Sequence, residues 1–227
     1  MIERKAGFHV SLMVFVLMSC AHAVPAVREM TGWPEIIAQD PDVSVTVTTK
    51  DGRNAVRVED QAGGGVVLTD RELLNGVIEV DLRSDLTEGA PEGSRGFAGI
   101  AFRARPDLRT YEAFYIRPTN GRAIEQIRRN HATQYISHPD YPWHRLRREQ
   151  PGHYESYVDL ELGVWTHLRI EVEGEAARLF VNGSAQPVLV VNDLKLGSEE
   201  GGRVGFWIGS GTIAHFADLR VENTAAR

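Results

Sequence analysis

Thr166-His167-Leu168-Arg169-Ile170-Glu171-Val172-Glu173 is the stretch that decides the fold. Its apolar Leu168, Ile170 and Val172 alternate with His167, Arg169, Glu171 and Glu173, so a period of two puts one set inward and the other in water. Val77-Ile78-Glu79-Val80-Asp81-Leu82-Arg83 repeats the pattern. Working outward, similar runs lie at residues 44–49, 55–59, 65–69, 96–104, 111–117, 123–128, 154–160, 176–182, 188–191, 203–208 and 215–222. Asp51-Gly52, Asn75-Gly76, Asn120-Gly121 and Asn182-Gly183 separate many of them, and such pairs supply the positive φ of tight hairpins. With no long amphipathic helix between them, these strands predict an all-β fold, a two-sheet antiparallel β-sandwich of jelly-roll type.

The 227 residues carry 25 basic against 31 acidic side chains, a net charge of -6. That balance gives no global footprint for nucleic acid, and no nucleic-acid partner is expected. Arg4 and Lys5 precede an apolar run over residues 10–18, followed by Ala21-His22-Ala23. This is the pattern of a signal peptide over residues 1–23, too short to span a membrane. A single domain over residues 24–227, exported to the periplasm or secreted, is expected. The only cysteine, Cys20, leaves no disulfide to form within the chain. Leu17-Met18-Ser19-Cys20 resembles a lipobox, which would make Cys20 a lipid anchor.

One segment departs from plain strand sequence. Residues 128–149 hold five arginines against two acids, interleaved with His, Tyr and Trp. Guanidinium groups grip oxygens in pairs and aromatic faces offer flat platforms, a combination suited to a polyhydroxylated or anionic ligand. Arg128, Arg129, Asn130, Gln134, Tyr135, Tyr141, Trp143 and His144 are the best ligand-site set. Residues 137–152 show little alternation and read as a long excursion from the sheets.

Gly163-Val164-Trp165-Thr166-His167-Leu168, followed by Leu179-Phe180-Val181-Asn182-Gly183, resembles a hairpin of concanavalin A-like lectin/glucanase domains, laminin G-like ones included. Gly205-Phe206-Trp207-Ile208-Gly209 and His215-Phe216-Ala217-Asp218-Leu219-Arg220-Val221 look like the closing strands of that fold. Within the superfamily, Gly99-Ile100-Ala101-Phe102-Arg103 and the strand opening Tyr111-Glu112 are similar to the 3-keto-disaccharide hydrolase domain family. The resemblance implies a carbohydrate partner held on a concave face. It also implies an enzymatic version that cleaves or eliminates at an oxidised glycoside. Glu112 with His131 or His144 would then serve as acid and base. Calcium held by loop carbonyls and Asp218 would be ordinary in the superfamily, and a laminin G-like protein partner is a third class.

Alternation places Arg103 on the open face of its strand, opposite Ile100 and Phe102. It places Tyr111, Tyr115 and Arg117 on one face of the next strand and Glu112 with Phe114 and Ile116 on the other. A buried Glu112 would have a raised pKa suited to acid–base work, or would simply pair with an arginine of the neighbouring strand. The expected site is therefore Arg103, Tyr115 and Arg117, roofed by residues 128–144. Glu79-Val80-Asp81 lacks the third carboxylate of a laminarinase-type strand, since Arg83 and Ser84 follow. His131, His138, His144 and His153 lack the i, i+2 or i, i+4 spacing that brings two zinc ligands together in one strand or helix, which leaves open only a site assembled across the fold.

Overall fold

The computed structural model describes residues 34–224, so the expected signal peptide and Cys20 lie outside the described residues. Strands β1 (Ile36–Gln39), β2 (Ser44–Lys50), β3 (Arg53–Asp60), β4 (Gly65–Leu73), β5 (Gly76–Leu86), β6 (Ala98–Ala104) and β7 (Tyr111–Ile116) come first. Helical turns α1 (Pro118–Gly121) and α2 (Gln126–Arg129), strand β8 (Thr133–His138), helix α3 (Trp143–Glu149) and the short β9 (Glu155–Ser156) follow. The chain closes with β10 (Thr166–Glu173), β11 (Ala176–Val181), β12 (Leu189–Val191), β13 (Gly202–Ile208) and β14 (Thr212–Asn223). The antiparallel strands form two sheets of seven, ordered β1-β4-β13-β6-β7-β8-β9 and β12-β11-β10-β5-β14-β3-β2. No helix among the described residues is long and apolar enough to cross a membrane.

The second sheet is what alternation predicts. Along β5 and β10 buried and partly exposed residues take turns, with Ile78, Leu82, Leu168 and Ile170 inside and Glu79, Asp81, His167 and Arg169 outside. Phe216 of this sheet stacks on Phe206 of the other at 4.4 Å between centroids, which marks the layer where the two sheets meet. Burying each such side chain stabilises the fold by roughly 1.5–3 kcal/mol.

The first sheet differs. All residues of β6 and β7 are buried, on both faces. Phe206, Ile100, Phe114 and Tyr135 are paired across β13, β6, β7 and β8 and face the interior. The next register row, Trp207, Gly99, Tyr115, Gln134 and Glu155, crosses five strands on the outer face. Tyr115 lies against Gly99, where a Cβ would come within 2.6 Å of the tyrosine Cβ, and stacks on Trp207 at 4.2 Å. Glycine is needed there because the β7 chain itself, at the Phe114 carbonyl and the Tyr115 Cα and Cβ, occupies the space a side chain would fill.

Two expected strands are mostly absent. Residues 123–128 form a bend and then α2, with Ile124 98% and Ile127 65% exposed. Within 154–160 only Glu155–Ser156 pairs. The excursion at 137–152 contains instead the end of β8 and helix α3, whose buried Leu146 pins it down.

Candidate functional site

Strand β7 and the turn that follows it position the outer-face groups. Arg117, almost fully buried, donates to the Tyr115 hydroxyl at 2.8 Å, to Gln134 Oε1 at 3.0 Å and to the His131 carbonyl at 3.0 Å. Gln134 is held in turn, its amide donating to the carbonyls of Tyr135 and Tyr154 at 2.8 and 3.1 Å. At the end of the row, the buried carboxylate of Glu155 gathers two arginines and an imidazole. Arg147 reaches across from α3 with contacts of 2.6–3.1 Å, His131 Nε2 lies at 3.1 Å, and Arg117 Nη1 at 3.9 Å. Asn120 of α1 donates to the His131 carbonyl at 3.1 Å, fixing the loop that carries the imidazole.

Above these groups opens a pocket of about 270 Å³ lined by Gly93, Arg95, Phe97, Tyr115, Arg117, Asn120, Arg128, His131, Trp143 and Arg147. Phe97 meets Tyr115 edge-on at 6.1 Å, and Trp143, 45% exposed, stands at the rim with the Arg147 guanidinium over its ring. A second pocket of about 540 Å³ adjoins the first through His131 and Arg147 and runs out past Ile127, Asn130 and Tyr157. Burial holds the His131 imidazole below its usual pKa, and Arg147 and Arg117 push the same way against the pull of Glu155. Burial also raises the Tyr115 phenol and lowers the Arg117 guanidinium.

The sequence-derived candidates divide sharply. Tyr115, Arg117, Arg128, His131 and Trp143 converge on the first pocket, Asn130 lines the second, and Gln134 supports Arg117 from below. Arg129 stands over Tyr157 and donates to its hydroxyl at 2.7 Å. Tyr141 and His144 line neither pocket. Tyr141 lies under the Arg145 guanidinium, and His144 points into solvent beside Trp143.

Three candidates sit on the wrong side of the sheet. The expected open face for Arg103 is corrected by its surroundings: it is fully buried and donates to the carbonyls of Leu74, Gly174 and Gly197. A register shift between β13 and β6, with φ of +48° at Arg103, breaks the alternation at this point. Glu112, which has no exposed surface, accepts from the Tyr135 hydroxyl at 2.7 Å and the Leu196 amide at 3.2 Å, and lies 3.6 Å from Arg103. Burial raises its pKa as expected, but its strand turns it away from His131 and His144. Tyr135 is part of the same buried set. Asp218, the expected calcium ligand, is paired with Arg53 on the other sheet. Among the described residues no group of three or more His, Cys, Asp or Glu converges as a metal cage.

Reading the sequence also missed residues. Trp207 and Glu155 fall on the outer-face row by register alone, which an isolated strand does not reveal, and Phe97 reaches Tyr115 from just before β6. Arg147 lies inside the basic segment but is indistinguishable there from Arg145 and Arg148. Arg95 and Asn120 arrive from connections and leave no local signal.

No protein-family model matches the chain, and no curated protein matches it. Among solved structures it is similar to a carbohydrate binding module, CBM66, from Bacillus subtilis, with a TM-score of 0.55 and 14% identity over 80% of this chain and 95% of that one. A putative glycosyl hydrolase from Parabacteroides distasonis aligns with a TM-score of 0.51 and 14% identity, covering 81% of this chain and 94% of that one. A Bacillus subtilis protein of unknown function with a galectin-like fold gives 0.50 at 12% identity, covering 82% and 89%. At such identities the likeness is one of fold: the chain is a β-sandwich of the kind that lectin-like and glycosyl hydrolase-like proteins share.

Proposed function

We propose that this is an exported domain that binds a saccharide in the pocket between Phe97, Tyr115 and Trp143. The observation that carries the reading is the pocket's composition. Three aromatic rings stand beside fixed guanidinium and amide donors, the pairing that recognises the apolar faces and hydroxyl edges of a sugar ring. A volume of about 270 Å³ suits one sugar unit or a chain end rather than a long stretch of polymer. Similarity of fold to a protein described as a carbohydrate binding module supports the same reading.

Glycoside cleavage of the 3-keto-disaccharide hydrolase type is the second reading. It rests on His131, which lines the pocket with Glu155 at 3.1 Å, rather than on Glu112. A thermal-shift screen against neutral, uronic, sulfated and 3-keto saccharides tests both. A ligand of the native state raises the melting point by mass action, and the Trp143→Ala variant should weaken any hit roughly tenfold, or about 1.4 kcal/mol. Product formation in the same mixture would move the assignment to the enzyme. Silence across the panel from a well-folded sample would overturn saccharide binding and favour a protein partner.

A further inference from the structure

We infer that the sugar taken by this pocket is an acidic one, with its carboxylate or sulfate group held among Arg95, Arg128 and Arg147. The inference rests on the saccharide reading above and deepens it. Four arginines and one histidine line the pocket and no aspartate or glutamate does, in a chain whose net charge is -6. Two carboxylates pair with these side chains, one buried and one exposed. Glu155 is taken by Arg147 and shared with His131 and Arg117. Glu125 lies 3.7 Å from Arg128 with both side chains substantially exposed, a pairing worth little in water.

Arg95 is the odd cation. It forms no ion pair among the described residues, and its Nη1 donates only to the carbonyls of Glu92 and Ser94, at 2.7 and 2.8 Å. The Arg128 Nε is buried without an acceptor among the described residues. Arg117 is almost fully buried, and its nearest partners are a phenol, an amide and a carbonyl rather than a carboxylate. Concentrating like charges in a partly buried cleft costs stability unless an anion arrives to offset them. A neutral sugar would leave that excess in place, whereas a carboxylate or sulfate accepts two parallel N–H bonds from a guanidinium fork.

Calorimetric titration with uronate, sulfated and neutral oligosaccharides of matched length tests this, run at low and at physiological ionic strength. The acidic ligands should bind at least tenfold more tightly than the neutral ones at low salt, with the gap narrowing as salt screens it. The uronate and sulfate arms show which anion fits. Arg95→Gln and Arg128→Gln should each lower affinity for the acidic ligand by a larger factor than for the neutral one, with melting points close to that of the parent. Equal affinity for acidic and neutral ligands would overturn the inference and leave saccharide binding intact. Failure of every saccharide to bind would overturn both.

Discussion

Two sets of the same three residue types lie back to back through the first sheet. The inner one joins Arg103, Glu112 and Tyr135, and the outer one joins Arg117, Glu155 and Tyr115. In the inner set the Arg103 donors end on backbone carbonyls of three different connections, and Tyr135 accepts from the Lys195 amide at 3.0 Å while donating to Glu112. That set ties the 193–198 connection to the sheet. In the outer set Arg117 is just as buried, but Arg147, His131 and Tyr115 each present a surface to a pocket. An arginine with no exposed surface, tied to three connections and to a buried carboxylate, is fastening the chain. One that belongs to a surplus of cations over a cavity is available for a ligand.

The largest test of that distinction is Arg103→Leu. It leaves Glu112 buried without its cation, which should cost about 3–5 kcal/mol of stability. For a domain of this size the melting point should fall by roughly 10 °C, while saccharide affinity measured where the variant is folded stays put. Urea unfolding and titration read the two quantities. A loss below about 1 kcal/mol together with weakened binding would place Arg103 with the ligand groups and dissolve the comparison.

Why the sequence separates these sets only in part is a matter of parity. The second sheet was legible because one face of β5 and β10 is wet, so alternation survives there. Strand β8 was not, since Thr133 through Ser137 are buried on both faces and no polar–apolar rhythm remains. Residues 123–128 mislead because Ile124 and Ile127 are three apart and exposed, a spacing of surface helix turns rather than of a strand. Within the site, parity correctly set Tyr115 and Arg117 against Glu112. It failed at Arg103, where the register shift and left-handed backbone turn the side chain, and neither is written in residue type. Glu155 and Arg147 meet across β9 and α3, a tertiary contact with no local signal.

A smaller effect should come from the layer that joins the two regions. In Gly99→Ala the new methyl would lie within 2.1 Å of the Phe114 carbonyl and 2.5 Å of the Tyr115 Cα, so β7 must move. Overpacking of this kind costs about 1–3 kcal/mol. Because Tyr115 both stacks on Trp207 and holds Arg117, saccharide affinity should fall along with stability, unlike in Arg103→Leu. Denaturation and titration of the one variant decide it. Reduced stability with intact affinity would mean that the outer aromatic row is packing alone.

The subtlest test uses His131, where stability and binding should respond to acid in opposite directions. Its folded-state pKa lies below the ordinary value of 6.5, chiefly through burial and then through Arg147 and Arg117, with Glu155 opposing. Between that lowered value and 6.5 the unfolded chain binds the proton and the folded chain does not. Its stabilising contribution is therefore present above 6.5 and is lost as pH falls through this window. His215, also lowered by burial first, adds a slope of the same sign, so His131→Gln should flatten the pH dependence without abolishing it. An acidic sugar beside the imidazole favours the protonated form, so complex formation takes up a proton and affinity rises as pH falls over the same range. Urea midpoints and calorimetric titrations at a series of pH values read the two slopes. Matching slopes, or a binding slope that survives His131→Gln, would detach the imidazole from the ligand and leave it, like Glu112, a group that serves the fold.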